Sequence, residues 1–289
     1  YSVIIDTFDL PLRYDFEHYE LNETEKYQVF FEETQGTALF KQYIWASGNS
    51  GFALTGVGRN PQEYPTVSIE NGIDGSRAIK LETKSTGQFG ETVKMPIAAG
   101  NLFLGSFDVN NAVQKPLKAT RFGLPFGKKP LQLKGYYKYT PGTQPFKAKD
   151  KNGNTVTIPG QEDEGDIYAV LYEAAELDGK ALDGNNVLTS KNIVALARVE
   201  VEKKDEFTAF HVDFHYGSRI PIDWPKFIQD QRDPSDDGTD KYLPFREEKM
   251  KNYEYNLAVV FTSSKYGAYF AGSVGSTLCI DKVEIVCEK

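Results

Sequence analysis

Hydrophobic and polar positions alternate with a period of two through much of the chain, and that period belongs to strands rather than helices. Residues 208–216, "TAFHVDFHY", are the cleanest case: Phe210, Val212, Phe214 and Tyr216 face one way, His211, Asp213 and His215 the other. Further strands are predicted over 78–83, 134–142, 166–174, 192–202, 255–264 and 276–286, each bounded by Gly, Pro, Asn or Ser. No window of helical length carries a 3.6-residue period, and only short helical turns are expected, near 19–32 and 222–230. Many strands, few helices and no strand–helix alternation predict an all-β fold, an antiparallel β-sandwich or jelly roll with long loops.

The final strand contains a phase error. Its apolar positions are even up to Leu278 and Ile280, then odd at Val283, Ile285 and Cys287. A one-residue slip at Asp281–Lys282 predicts a β-bulge, which re-aims a side chain. Asp281 is expected to turn toward the sheet end and tie the last strand to the first, through an ion or through hydrogen bonds. The stretches 149–166 and 225–245 read as long loops within one domain. No linker composition or internal repeat divides the chain, so residues 14–289 are taken as the sandwich and 1–13 as a linker or the remnant of an upstream domain.

Composition narrows the function classes. The 289 residues are 40% apolar, with 19 Phe and 17 Tyr against 2 Met, which suits sheets with a substantial core. A net charge of −8 with no Lys/Arg run argues against nucleic acid and against an anionic membrane surface. No stretch of 18 apolar residues occurs, so no membrane-spanning helix is predicted. The first residue is Tyr1, not Met, which suggests a trimmed chain whose targeting segment is gone. Cys279 and Cys287 lie about 26 Å apart along one continuous strand and are expected to be free thiols.

Candidate chemistry is diffuse. Gly, Asn and aromatic residues gather in the runs 45–56, 98–107, 121–130 and 133–142. A flat aromatic beside an amide suits a pyranose, which offers one apolar face and a ring of hydroxyls; the same residue types also shape turns and fill cores. On this pattern Trp45, Tyr136, Tyr137 and Tyr139 are candidate stacking platforms, Asn49 and Asn101 candidate hydrogen-bonding groups, and Trp224 a rim aromatic for a glycan or a protein partner. Hydrolysis of a glycosidic bond would need two acids across a cleft, for which Glu162, Asp163, Glu164, Asp166, Glu82 and Glu173 are the candidates. The His211–Asp213–His215 face is either a partial metal site or the wet side of an amphipathic strand. There is no nucleophile elbow, HExxH, phosphate-binding loop, CxxC or dinucleotide fingerprint, which favours a binding module over an enzyme.

The runs "WASGNSG" (45–51), "AIKLET" (78–83), "AAGNLFLG" (98–105), "FGLPF" (122–126), "LKGYYKYTPG" (133–142), "DIYAVLYE" (166–173), "LTSKNIVALA" (188–197) and "FTSSKYGAYFAGSVGSTLCIDKVEI" (261–285) occur in that order. Together they resemble the "putative carbohydrate metabolism domain" (PCMD) family of surface proteins of gut-dwelling Gram-negative bacteria. The resemblance covers about residues 14–288. It implies a jelly roll similar to galactose-binding and carbohydrate-binding modules, glycan or polysaccharide as partner, and an exported protein of the cell surface, outer membrane or periplasm, often lipid-anchored upstream. Jelly-roll sugar-binding modules also carry a Phe-Glu pair near the start and an Asp in the last strand that help hold a structural calcium. Phe16-Glu17 and Asp281 match that pattern, so the resemblance implies Glu17 and Asp281 as calcium ligands; a hydrogen-bonded Asp281 without an ion is the alternative. The function these features imply is glycan capture, with a glycoside hydrolase or a protein-binding adhesion module as alternatives.

Overall fold

A computed structural model describes residues 9–34, 40–174 and 181–289. Its principal strands are β1 (Arg13–Tyr14), β2 (Trp45–Ala46), β3 (Thr66–Ile69), β4 (Ala78–Glu82), β5 (Asn101–Phe107), β6 (Thr120–Phe122), β7 (Leu124–Pro125), β8 (Pro130–Thr140), β9 (Asp166–Glu173), β10 (Ile193–Val199), β11 (Lys204–Asp213), β12 (His215–Tyr216), β13 (Tyr255–Thr262) and β14 (Thr277–Cys287). They form two antiparallel sheets. Sheet A runs β11-β8-β14-β4-β3 with β1 also on β14; sheet B runs β6-β5-β13-β9-β10-β12 with β2 on β5 and β7 on β13. Together they make the expected antiparallel sandwich.

Alternation along each strand builds the core. Leu133, Tyr137 and Tyr139 of β8 and Leu278 and Ile280 of β14 face Ile167, Ala169 and Leu171 of β9 and Leu257, Val259 and Phe261 of β13. The opposite faces of β9 and β13 are also covered: Tyr168, Val170 and Tyr172, with Ala258 and Val260, join a second apolar cluster on the outside of sheet B. That double coverage explains why β9 reads apolar at nearly every position and is buried throughout. Sheet A keeps a wet outer face, where His211 and Asp213 of β11 are exposed while Phe210 is buried. The strand predicted over 208–216 breaks at buried Phe214, and exposed His215 belongs to β12 of sheet B, paired with β10.

The predicted bulge is present. Lys134 pairs with Glu284 but Tyr136 pairs with Asp281, so Lys282 and Val283 of β14 oppose the single Gly135 of β8, and Lys282 has φ 48°. The slip lets Val283 and Ile285 rejoin Leu278 and Ile280 in the same core. It also marks a change of neighbour: β14 pairs with β4 through Ile280 and with β1 from Val283.

Three expectations need revision. Residues 19–32 hold a short hairpin, Tyr19–Leu21 with Gln28–Phe30, in place of a helical turn, because strands of three residues are too brief to show a period. The loop at 149–166 begins with a hairpin pairing Lys147–Lys149 with Thr155–Thr157. The domain boundary at residue 14 falls too late: Leu10 is buried, the Leu12 carbonyl accepts from Ile285 N, and Arg13 pairs with Glu284; residues 1–8 lie outside the described residues. Cys279 and Cys287 are both free, on the single strand β14.

Candidate functional site

A cleft of about 190 Å³ opens on the outer face of sheet B. Phe103 of β5, Phe122 of β6, Tyr168 of β9 and Val260 of β13 form its floor. Its walls come from Phe52 and Phe89 of the short helices Asn49–Ala53 and Gly87–Thr92, from Phe107 at the end of β5, from Leu188 and Phe270 and, at the rim, from Trp224. Trp224 is half-buried, with the Arg232 guanidinium 4.6 Å from its ring centroid and Tyr266 and Tyr269 at its edges.

At the start of β9 the apolar cleft meets a polar recess of about 390 Å³, and Asp166 and Lys265 line both. Glu162, Glu164, Glu200, Glu202 and Lys203 surround this recess. Most of the charges are paired. Arg198 donates to both oxygens of Asp166, at 2.9 and 2.7 Å; Lys265 donates to Glu164 at 2.6 Å and Lys204 to Glu202 at 2.7 Å. Glu162 and Glu200, both exposed, have no such partner among the described residues.

Behind the recess, Asp163 is buried in a network of hydroxyls. Its Oδ2 accepts from Ser264 Oγ (2.6 Å), Ser276 Oγ (2.7 Å) and Ser273 N (2.8 Å), and its Oδ1 from Glu164 N (3.0 Å). Thr83 Oγ1 extends the network to Ser263 and Ser264 across the two sheets. Burial raises the Asp163 pKa to about 6 against the pull of these donors. The Ser/Gly-rich run 263–276 is therefore a buried clamp: a Cβ on Gly272 would stand 2.5 Å from Ser264 Oγ and 2.9 Å from Asp163 Oδ2. With all four donors engaged, Asp163 holds the end of the sandwich and is no candidate for the proton transfers of hydrolysis.

Few of the residues singled out in the sequence reach the cleft. Trp224 and Asn101 line it. The Asn101 carboxamide is turned inward, accepting from Gly48 N at 2.8 Å, and positions the short helix Asn49–Ala53. Trp45 is 4% exposed, packed edge-on against Tyr14 and beside Phe16 and Phe261, with its Nε1 donating to buried Glu32 at 2.8 Å; it is a core residue and no stacking platform. Asn49 is wholly buried and exchanges two hydrogen bonds with the Thr66 backbone, so it holds the helix to β3 and cannot meet a glycan. Tyr137 and Tyr139 face the sandwich core, though Tyr139 also lines the polar recess with its hydroxyl donating to the Ser263 carbonyl at 3.3 Å. Of the three only Tyr136, on the outer face of sheet A and away from the cleft, is partly exposed. Among the remaining acids, Glu82 pairs with Lys80 and Lys84, and Glu173 with Lys249. The sequence reading missed Phe103, Phe122 and Tyr168, which look like ordinary core positions until sheet B is seen to be covered by loops on its outer side.

Calcium can be tested against the donor set. Asp281 is fully buried; its Oδ2 accepts from Ile73 N (2.6 Å) and Ser76 Oγ (3.0 Å), and its Oδ1 from Lys282 N (2.7 Å). Glu17 Oε1 accepts from Arg77 N at 3.0 Å. Both carboxylates thus close the loop between β3 and β4, not the junction of first and last strands, and both face N–H or O–H donors. A cation needs oxygen lone pairs where these donors stand, so the arrangement does not fit a calcium site. Among the described residues no group of three or more His, Cys, Asp or Glu side chains gathers around a point, and Asp213 instead accepts from Gln132 Nε2 at 2.6 Å.

Comparison with known proteins bears out the family resemblance. A search of the curated proteins returns no match. Among solved structures, one described as a "putative glycoside hydrolase" from Bacteroides thetaiotaomicron is 42% identical, with a TM-score of 0.78 over 98% of this chain and 72% of that one. A second "putative glycoside hydrolase", from Bacteroides vulgatus, is 34% identical, with a TM-score of 0.76 over 97% of this chain and 99% of that one. The model of the "Putative carbohydrate metabolism domain" family matches residues 15–286, nearly the whole sandwich. The chain belongs to the PCMD family, and its domain is a carbohydrate-related one.

Proposed function

We propose that this domain captures saccharides without cleaving them, in the composite site where the apolar cleft meets the polar recess at Asp166 and Lys265. That junction is the observation that carries the reading: a saccharide has apolar faces and a periphery of hydroxyls, and here an aromatic floor adjoins carboxylates and ammonium groups. The exposed carboxylates of Glu162 and Glu200 would accept from sugar hydroxyls, and Trp224 would cover the ligand from the rim. The role fits capture of polysaccharide by an exported, surface-associated protein; protease accessibility on intact cells would check the location.

Titration of soluble glycans by calorimetry after a glycan-array screen tests the binding reading. Trp224→Ala and the double change Glu162→Gln with Glu200→Gln are each expected to weaken binding about tenfold or more, with the β-sheet circular dichroism spectrum retained. Undiminished affinity in both variants would remove the site.

A second reading, glycoside hydrolysis, draws on the names of the two similar structures and on Glu162 and Glu200 being the unpartnered acids of the recess. Product formation from a panel of plant and host polysaccharides, abolished in the same double variant, would establish it. Binding without turnover would reject it.

A further inference from the structure

The polar side chains that line the apolar cleft are almost all committed to the protein itself. The hydroxyls of Thr55, Thr86 and Thr262 donate to the carbonyls of Phe52, Met95 and Ser264. Asn101 accepts from Gly48 N, Asn185 donates to Asp183, and Asp166 is locked to Arg198. Thr189 Oγ1 accepts from Arg232 at 3.3 Å, and two hydroxyls are left with no partner at all. Neither Tyr168 Oη nor Thr120 Oγ1 has a hydrogen-bond partner among the described residues, although both residues line the cleft and Tyr168 is only 5% exposed. Burial raises the Tyr168 pKa, so its phenol stays protonated and can donate.

This pattern discriminates between ligands. A pyranose seated fully in the cleft would bury most of its hydroxyls against Phe103, Phe122 and Val260 with only the hydroxyls of Tyr168, Thr120 and Thr189 to meet them, and unmet buried hydroxyls cost free energy. A flat apolar group with one acceptor oxygen meets no such conflict. Size agrees: an apolar cavity of about 150 Å³ takes up a benzene ring, and this cleft offers about 190 Å³.

We propose that the cleft receives an aryl group carried on the saccharide, its ring between Phe103, Phe122 and Val260 and its oxygen accepting from Tyr168 Oη, while the sugar lies beyond Asp166 in the polar recess. This rests on the saccharide-binding reading and narrows its ligand to aryl-substituted sugars. The carbohydrate is recognised at its hydroxyls, and the substituent supplies the buried apolar area.

Calorimetry with paired methyl and 4-nitrophenyl glycosides of glucose, galactose, xylose, arabinose and mannose, and with free 4-nitrophenol, tests the assignment. At least one 4-nitrophenyl glycoside is expected to bind tenfold or more tightly than its methyl counterpart. Tyr168→Phe, which keeps the ring and removes only the hydroxyl, should cut that preference severalfold. Phe89→Ala, at the exposed rim, should do so without risk to the core. Equal affinity of methyl and aryl partners overturns the inference and leaves saccharide capture standing. Aryl binding that is indifferent to the sugar, with 4-nitrophenol binding as well as any glycoside, keeps the aryl pocket and removes the saccharide reading. No saturable binding of any aryl compound overturns the aryl pocket outright.

Discussion

Two buried aspartates organise this protein at the residue scale, and each is accompanied by a glycine whose missing Cβ makes room for it. Gly272 leaves space beside Asp163; a Cβ on Gly72 would stand 2.5 Å from Asp281 Oδ2. Asp281→Ala would strand the Ile73 and Lys282 amides, while the Ser76 hydroxyl keeps its bond to the Ile73 carbonyl, an expected loss of about 3 kcal/mol in urea unfolding. Because those donors already fill the carboxylate, Tm is expected to be the same in calcium and in chelator. A calcium-dependent rise in the wild type, absent in Asp281→Ala, would assign an ion to the loop instead. Glu32 gives a pH signature. Burial lifts its pKa from 4.5 to about 7, the Trp45 N–H only partly opposing the rise. A raised acid contributes its stability in full below the ordinary value and loses it as pH rises through 7. Glu32→Gln keeps an acceptor for Trp45 and stays neutral, so its stability relative to wild type should grow by about 2 kcal/mol from pH 4.5 to 8. A constant difference across that range would refute the assignment. None of this was legible for Trp45: its partner lies 13 residues away on a strand too short to have a period, and composition alone does not separate a core indole from a platform.

Among the elements, the long strands were legible and their order was not. Each of β4, β8, β9, β10, β11, β13 and β14 shows in the sequence because it is long enough for its pattern to repeat against a core face. The pairing of β14 between β8 and β4 depends on partners more than a hundred residues away, about which local pattern is silent. The bulge is an exception, since a change of hydrophobic phase is itself local. Lys282 holds the left-handed backbone that the bulge requires, at φ 48°. Lys282→Gly should therefore stabilise by about 0.5–1 kcal/mol, and Lys282→Val should destabilise by more than that. The reverse order in denaturation midpoints would show that the bulge is held by something other than backbone conformation.

Over the whole molecule, the apolar cleft is assembled from segments scattered between residue 48 and residue 270. Alternation alone assigns Phe103, Phe122 and Tyr168 to a core and cannot say that one part of that second core is open. Only the arrangement of covering loops reveals it. The same long-range design has a consequence for how the protein is made. Strand β14 is an interior strand of sheet A, bonded to β8 on one edge and to β4 and then β1 on the other. Until residues 277–287 have left the ribosome, β4 and β8 lack the neighbour that joins them, and a nascent chain holding everything before that point carries two open sheet edges. Sheet A therefore completes only after nearly all of the domain has been synthesised. A chain truncated before residue 277 should stay protease-sensitive, because β4 and β8 lack the strand that joins them; protection equal to that of the chain with β14 would show that the sheet holds without it.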